Sequence, residues 1–425
     1  HAARSIRRRD VGPGYTNIAL MGTYVTLVAG ERLDARDLFD YGRGRLQRFY
    51  DYTRQKGSFT EYNSPTYTPV AIEEISRMLK HVRDEGSREL LDWLHNFAWS
   101  HVARRFHPSS VQWAGPHSRS YSTLLSRETL AFLQRGLGDS VRLMPEAEAW
   151  ESLDAHRLDV RCPDDLAASF RPAGAENVVV ESFVVNPSGE HDLVGRTYLH
   201  PNFTLGSVNL GDFWNQRRPL VGYWKDTGGP VSVRLRMLHD GYDYASASLL
   251  TVQDKGEVLG AVLFVTDRGD THISLDKIAN GTIQARDLRL RLQFEGAVNG
   301  LTLSERLVLE EPVYFACGPV AGVFAVHSVK FDGLTASLEA GRESNQAWVD
   351  VVLYRGSMRS FDFRKIEQAA IILTLSMAPT GAISRFVAPS VYSSIAIDAV
   401  AAGIESPRES WSLQRRSESP LSLTI

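Results

Sequence analysis

DLRLRLQF at residues 287–294 alternates Leu288, Leu290, Leu292 and Phe294 with Asp, Arg and Gln. Successive side chains of an extended chain point to opposite faces, so this alternation reads as a strand with one apolar face. The stretch before it, SASLLTVQDKGEVLGAVLFVTDRGDTHISL at 246–275, reads as three strands joined by turns at Asp254-Lys255-Gly256 and Asp267-Arg268-Gly269. Further strands are expected at 301–309, 322–330, 334–340, 347–354 and 369–376, and Asn299-Gly300 is a hairpin signal. Residues 176–403 therefore read as one large antiparallel sandwich rather than a parallel sheet. The Ser- and Arg-rich stretch 404–425 reads as a poorly ordered or draped tail.

Upstream the apolar period changes. Residues 15–30 (YTNIALMGTYVTLVAG) carry apolar side chains at helical spacing and stop at Gly30. Residues 36–56 place Leu38, Phe39, Leu46, Phe49 and Tyr50 on one face and end at Gly57. Helices follow at 69–83, with Pro69 in the first turn, at 87–106, with Ser87 as N-cap, and at 127–136. Short and long connections suit stacked helical hairpins, with the long polar and aromatic loops 57–68 and 107–122 forming a working face. The domains are read as a helical domain 1–145, a linker 146–175 holding Pro163 and Pro172, the sandwich 176–403 and the tail.

Composition narrows the function. The chain has 425 residues, enough for two or three domains at about 150 residues each. Lys and Arg number 47 against 50 Asp and Glu, so the net charge of −3 argues against a nucleic-acid partner. No apolar run is long enough to span a membrane. Cys162 and Cys317 offer neither a disulfide framework nor metal-site spacing. Nucleotide loops, the G-x-S-x-G elbow, H-E-x-x-H and C-x-x-C are absent. The chain begins at His1 with the basic run RSIRRRD and shows no signal peptide, which reads as a processed or trimmed form. Asn202-Phe203-Thr204 and Asn280-Gly281-Thr282 match the glycosylation pattern and weakly favour secretion, giving a secreted or periplasmic expectation.

Three polar-aromatic clusters carry chemistry. In the first, Glu61, Tyr62, Asn63 and Tyr67 surround Ser64-Pro65, where proline pushes its neighbour toward an extended conformation. In the second, Trp113 precedes Gly115-Pro116, and His117, Arg119 and Tyr121 follow. They can supply a proton acceptor, a carboxylate clamp and a proton donor. The third, TYLHPNFTLGS at 197–207, opens the sandwich and leads to Asp212, Trp214, Gln216, Arg217 and Arg218, then Trp224 and Lys225. Each cluster also has a plain structural use, in turns, surface charge and core tryptophans.

These loops and their order resemble those of the heparinase II/III-like enzymes: FTEYNSPTY at 59–67, AGPHSRSY at 114–121, then TYLHPNFTLGS. The resemblance implies an α+β multidomain fold, an N-terminal α/α toroid of helical hairpins followed by the antiparallel β-sandwich. Two or three hairpins before residue 140 make that toroid incomplete. It also implies a polysaccharide lyase that cleaves a uronic-acid-containing polysaccharide by β-elimination. The roles it implies are proton transfer by His117 and Tyr121, with Tyr67 a rival phenol and His200 facing the cleft. Asn63 and Arg119 would neutralise the sugar carboxylate, and Asn17 would reach the same face. Glu61, Tyr62, Trp113, Trp214, Gln216 and Arg217 would bind substrate. A tyrosine base needs its pKa brought down from about 10, which Arg119 and a charged histidine would favour.

Two alternatives stand beside the lyase. A six-hairpin glycoside hydrolase would need facing carboxylates, with Glu61 and Asp212 the candidates. A carbohydrate-binding protein would hold a glycan without turnover. No cofactor is required by either chemistry. His200 and His239-Asp240 lack spacing that singles out a metal, so any structural metal is unassigned.

Overall fold

A computed structural model describes residues 1–150, 156–172, 174–185, 192–264, 281–385, 390–399, 405–414 and 421–424. The chain divides into two compact units. The helical unit holds His1–Trp113, His117–Gly174 and Val179–Gly195; the β unit holds Ala114–Pro116, Ala175–Val178 and Arg196–Ile425.

The helical unit contains α1 (Ala2–Arg9), α2 (Thr16–Arg32), α3 (Arg36–Lys56), α4 (Tyr67–His81), α5 (Glu85–Arg105) and α6 (Arg127–Leu137). The basic start is thus helical. The buried Arg45 guanidinium ties α1 to α2 and α3, donating to Asp10 at 2.9 Å and to the Val11 carbonyl at 2.9 Å. Gly30 does not end α2. It lies where α3 crosses, and a Cβ there would sit 2.5 Å from the Phe39 Cα, so only glycine permits the approach. Gly57 does end α3, in the left-handed region at φ 78°. The N-cap of α5 is Asp84, not Ser87: its carboxylate accepts from the Ser87 N–H at 2.9 Å. Leu20, Leu27, Leu46, Phe49, Ile72, Ile75, Leu91, Leu94 and Val102 form the core beneath these helices.

In the same unit Glu181, on the strand Asn177–Val184, binds α5. Its carboxylate pairs with Arg105 and with Arg104 at 3.3 Å, and lies 3.3 Å from Nε2 of His101, whose pKa burial holds well below the usual histidine range. Arg105 is fully buried, and its guanidinium lies 5.0 Å from the centre of the Phe183 ring. The short helices Glu146–Ala149 and Asp164–Ala167 occupy the stretch read as linker.

The β unit is built from antiparallel strands. A seven-stranded sheet runs Thr302–Leu303, Val313–Cys317, Val320–Phe331, Ala369–Pro379, Glu257–Phe264, Ala247–Asp254, Leu210–Asp212. A nine-stranded sheet is centred on Gln346–Asp362, Thr282–Gly296, Gly229–His239 and Leu220–Asp226. Their inner faces share one core, to which DLRLRLQF contributes Leu288, Leu290, Leu292 and Phe294. The Asp254-Lys255-Gly256 turn closes a hairpin as expected. Asp267-Arg268-Gly269 and Asn280 lie outside the described residues.

Two readings are corrected here. Asn299-Gly300 is not a hairpin tip. It sits in the turn Val298–Gly300, which carries the chain from the nine-stranded to the seven-stranded sheet because Val298 and Leu301 plug the shared core. The expected strand 301–309 shortens to Thr302–Leu303. In the stretch 404–425, read as poorly ordered or draped, Glu405–Gln414 and Leu421–Thr424 are strands that pair with Ser390–Ala399 in a further sheet. Leu421 and Leu423 pack on Leu259, Ala261 and Ile372, covering an apolar face that water would otherwise meet.

Candidate active site

The loops 57–68 and 107–122 meet in the helical unit through hydrogen bonds between residues 50 to 56 positions apart in the chain. Asn63 takes the left-handed backbone at φ 42°, which asparagine tolerates better than most residues. Its side-chain oxygen accepts from the Trp113 indole N–H at 2.6 Å. Ser64 accepts from the Tyr67 N–H at 2.9 Å at the start of α4 and donates to the Arg119 carbonyl at 2.6 Å. Ser118 donates through its N–H to the Tyr62 carbonyl at 3.3 Å, and the Tyr121 N–H donates to Thr66 Oγ1 at 3.3 Å.

These contacts fix His117 and Arg119. His117 Nδ1 lies 2.8 Å from the Asn63 carbonyl. A carbonyl can only accept, so Nδ1 carries the proton and Nε2 is the basic nitrogen of the neutral ring. The His117 side chain is 1% exposed. Arg119 Nη2 donates to the Tyr67 hydroxyl at 3.0 Å, with the guanidinium 4.7 Å from the ring centre.

The two phenols meet head to head. The Tyr67 and Tyr121 hydroxyls are 2.6 Å apart, and the rings lie edge to face. Burial, followed by the Tyr121 hydrogen bond, pushes the Tyr67 phenol up to about 12; Arg119 pulls the other way and is outweighed. The expectation that Arg119 would bring a phenol toward neutrality therefore fails at Tyr67, because desolvation disfavours the phenolate more than the guanidinium favours it. Tyr67 stays protonated at neutral pH. Tyr121 is 63% exposed and borders a cleft of about 730 Å³, walled by Thr66, Pro69, Ser122, Arg127, Phe132 and Arg135 among others.

Other expected residues take different places. Glu61 is buried and accepts from the Thr16 N–H at 3.3 Å, fixing the start of α2 beside Asn17, whose side-chain oxygen faces the Ile18 N–H at 2.9 Å. Tyr62 stacks on Phe183 at 4.2 Å, a packing contact within the helical unit. Trp113 is 1% exposed and serves Asn63 rather than presenting a face to a sugar.

In the β unit, Thr197 donates to the Gly115 carbonyl at 2.7 Å, and Gly206 packs so closely on that carbonyl that no Cβ would fit. His200 Nδ1 accepts from the Asn202 N–H at 3.1 Å, its ring stacks on Phe203, and burial holds its pKa below the usual histidine range. Trp224 is in the sandwich core. Trp214 is buried, and Arg217 lies over its ring at 5.8 Å while pairing with Asp212. Gln216 is half-buried in the same turn.

Ser64, Thr66 and Ser118 are the residues that sequence reasoning did not put forward as functional. The Ser64-Pro65 pair was the available signal, since a serine there can cap the helix that follows. Among the described residues no group of three or more His, Cys, Asp or Glu could hold a metal ion, and no helix is long and apolar enough to cross a membrane.

A family model described only as a domain of unknown function (DUF8769) matches residues 3–136. No curated protein matches the chain. Among solved structures it is similar to a crystal structure of heparinase III, at 10% identity and a TM-score of 0.40, covering 96% of this chain and 67% of that one. A second heparinase III, with methylated lysines, gives 9% identity and 0.38, covering 96% and 64%. A mutant heparan sulfate lyase from Pedobacter heparinus gives 10% and 0.34, covering 96% and 65%. The chain spans about two thirds of the length of these structures.

Proposed function

We propose that the protein is a polysaccharide lyase that cleaves a uronic-acid-containing polysaccharide by β-elimination. The observation that carries this reading is the chain of contacts from Arg119 through Tyr67 to the exposed Tyr121 hydroxyl at the edge of a cleft. Arg119 donates to the Tyr67 oxygen, and the Tyr67 proton can turn toward the Tyr121 oxygen once that oxygen has lost its own. The negative charge of the Tyr121 phenolate, before it takes a proton and after it gives the proton up, is then met by a hydrogen bond already in place.

Elimination needs three things: the sugar carboxylate neutralised, the C5 proton removed and the departing oxygen protonated. Arg119 meets the carboxylate. Tyr121, acting as the phenolate, takes the C5 proton as the C4–O bond breaks and the C4–C5 double bond forms. The proton then passes from Tyr121 to the departing glycosidic oxygen, so atoms and charge balance. His117 has a positioning role: its Nδ1–H holds the Asn63 carbonyl and so the left-handed turn that sets Tyr67. On this reading the helical hairpins are part of an α/α toroid, and a polymeric substrate places the protein outside the cytoplasm.

Hydrolysis has no comparable support. Glu61 is spent on the start of α2, and Asp212 is paired with Arg217. The chemistry of the product separates the two reactions: elimination leaves a conjugated unsaturated uronate that absorbs in the ultraviolet, and hydrolysis adds water and leaves no double bond. Exposure of the chain to a panel of acidic polysaccharides is expected to yield the unsaturated product. Products carrying an added water would refute the lyase. His117→Gln, which keeps a side-chain N–H donor, should retain more activity than His117→Ala.

A further inference from the structure

We propose that the outer face of the nine-stranded sheet holds an anion site in which Arg234 binds the carboxylate or sulfate of an acidic sugar. The inference stands on the β unit alone and does not depend on the lyase reading. Side chains alternate along a strand, and Val231, Val233 and Leu235 of Gly229–His239 face the sandwich core. Ser232, Arg234 and Arg236 therefore share the opposite face. The register places Tyr223 beside Ser232, and Thr204 beside Tyr223, on that same face. A sheet face turned from the core is ordinarily wet, yet Thr204, Tyr223 and Ser232 are at most 1% exposed. Among the described residues, Thr204 Oγ1, Ser232 Oγ and Arg234 Nε are enclosed without a hydrogen-bond partner. Buried polar groups in folded proteins are nearly always satisfied, so three orphans grouped about Tyr223 mark a place for acceptor oxygens.

The charges that act on Arg234 favour an anion. Burial, followed by repulsion from Arg218 and Arg236, brings the Arg234 guanidinium down to about 9, and Asp243 and Glu295 do not offset this. Asp243 is already spent: Arg236 holds both of its oxygens at 2.8 Å and gives its remaining nitrogen to Gln293 at 2.8 Å. Arg218 is buried and donates to the carbonyls of Asn215 at 2.7 Å and Arg217 at 2.9 Å, which carry no net charge to match its own. Three guanidinium groups thus share two carboxylates. Solvent reaches the group, since Arg234 is only half-buried and the Arg236 side chain is 19% exposed. An incoming oxyanion meets a planar fork of donors with two parallel hydrogen bonds and gains the field of the other two arginines. Carboxylate and sulfate, the two anions of acidic glycans, share this chemistry.

The test is calorimetric binding of glucuronate and of inorganic sulfate to the full chain, each set against chloride at matched ionic strength. One saturable site per chain is expected for at least one of the two, and the one that binds identifies the anion. Arg234→Gln is expected to weaken that binding about tenfold or more, and Arg234→Lys to restore part of it. A second readout separates a ligand site from a structural arginine. Removing a buried cation that has no matching charge does not destabilise the fold, so in chloride alone Arg234→Gln should unfold in denaturant at a midpoint no lower than the wild type. Absence of saturable binding of both probes would overturn the site and mean that water alone fills it. Undiminished binding in Arg234→Gln would overturn it too. So would a variant that unfolds at a lower midpoint or fails to fold, because Arg234 would then already have its partner within the fold. All of these outcomes are read without turnover, so the presence or absence of an unsaturated product leaves them unchanged.

Discussion

Tyr67 titrates near 12 because its phenol is partly buried and hydrogen-bonded to a second phenol. An unfolded chain would lose that proton near the ordinary value of 10. Between those two values the folded state binds more protons than the unfolded one, so the contribution of Tyr67 to stability is complete below about pH 10 and lost as pH rises through about 12. An ultraviolet titration of the wild type minus Tyr67→Phe should show one phenol ionising near 12. A difference centred on 10 would mean that in solution the Tyr67 phenol is neither buried nor held by Tyr121. At this scale the sequence is partly legible. Tyr67, Arg119 and Tyr121 stand out because Ser64-Pro65 and Gly115-Pro116 mark fixed turns beside them. The lacing by Ser64, Thr66 and Ser118 is invisible in a local pattern, since each partner lies more than fifty residues away. For the same reason Trp113 reads as a sugar platform until its indole is seen to serve Asn63.

Elements are legible where the apolar stripe ends at a residue with a fixed backbone role. The stripe predicts a helix over 36–56, and α3 has those bounds because Gly57 is left-handed. Gly30 misleads because a glycine that admits a neighbouring helix looks the same in sequence as one that ends its own. Asn299-Gly300 misleads because two buried side chains, Val298 and Leu301, decide the path instead of the turn dipeptide. The last strands are missed because Leu421 and Leu423 owe their order to a sheet face formed more than forty residues earlier. Glu181 is the sharpest case of an element held by one side chain. Removing its charge leaves Arg105 buried beside Arg104 with no carboxylate. Glu181→Gln is therefore expected to cost about 3–5 kcal/mol. The check is chemical denaturation; a loss below about 1 kcal/mol would show that water reaches Arg105 freely.

At the scale of the whole molecule, the change from a helical to a two-residue period along the chain sufficed to read helices followed by an antiparallel sandwich. The separate cores of the two units each hold one cysteine, Cys162 and Cys317, both buried and unpaired. Burial pushes their thiols up to about 12 and about 11. A thiol reagent should leave both unmodified in the native protein and label both in denaturant. Rapid native labelling of either would mean that the core around it opens.

The central claim is that Tyr121, set by Tyr67 and Arg119, moves the proton in an elimination. The most direct measurement is the initial rate of ultraviolet absorbance on an acidic polysaccharide for the wild type and Tyr121→Phe, with circular dichroism confirming that both are folded. The account predicts a rise for the wild type and a rate about 10²–10⁴-fold lower for Tyr121→Phe. Equal rates in the two proteins, or no rise for the wild type on any uronate polymer, would contradict it.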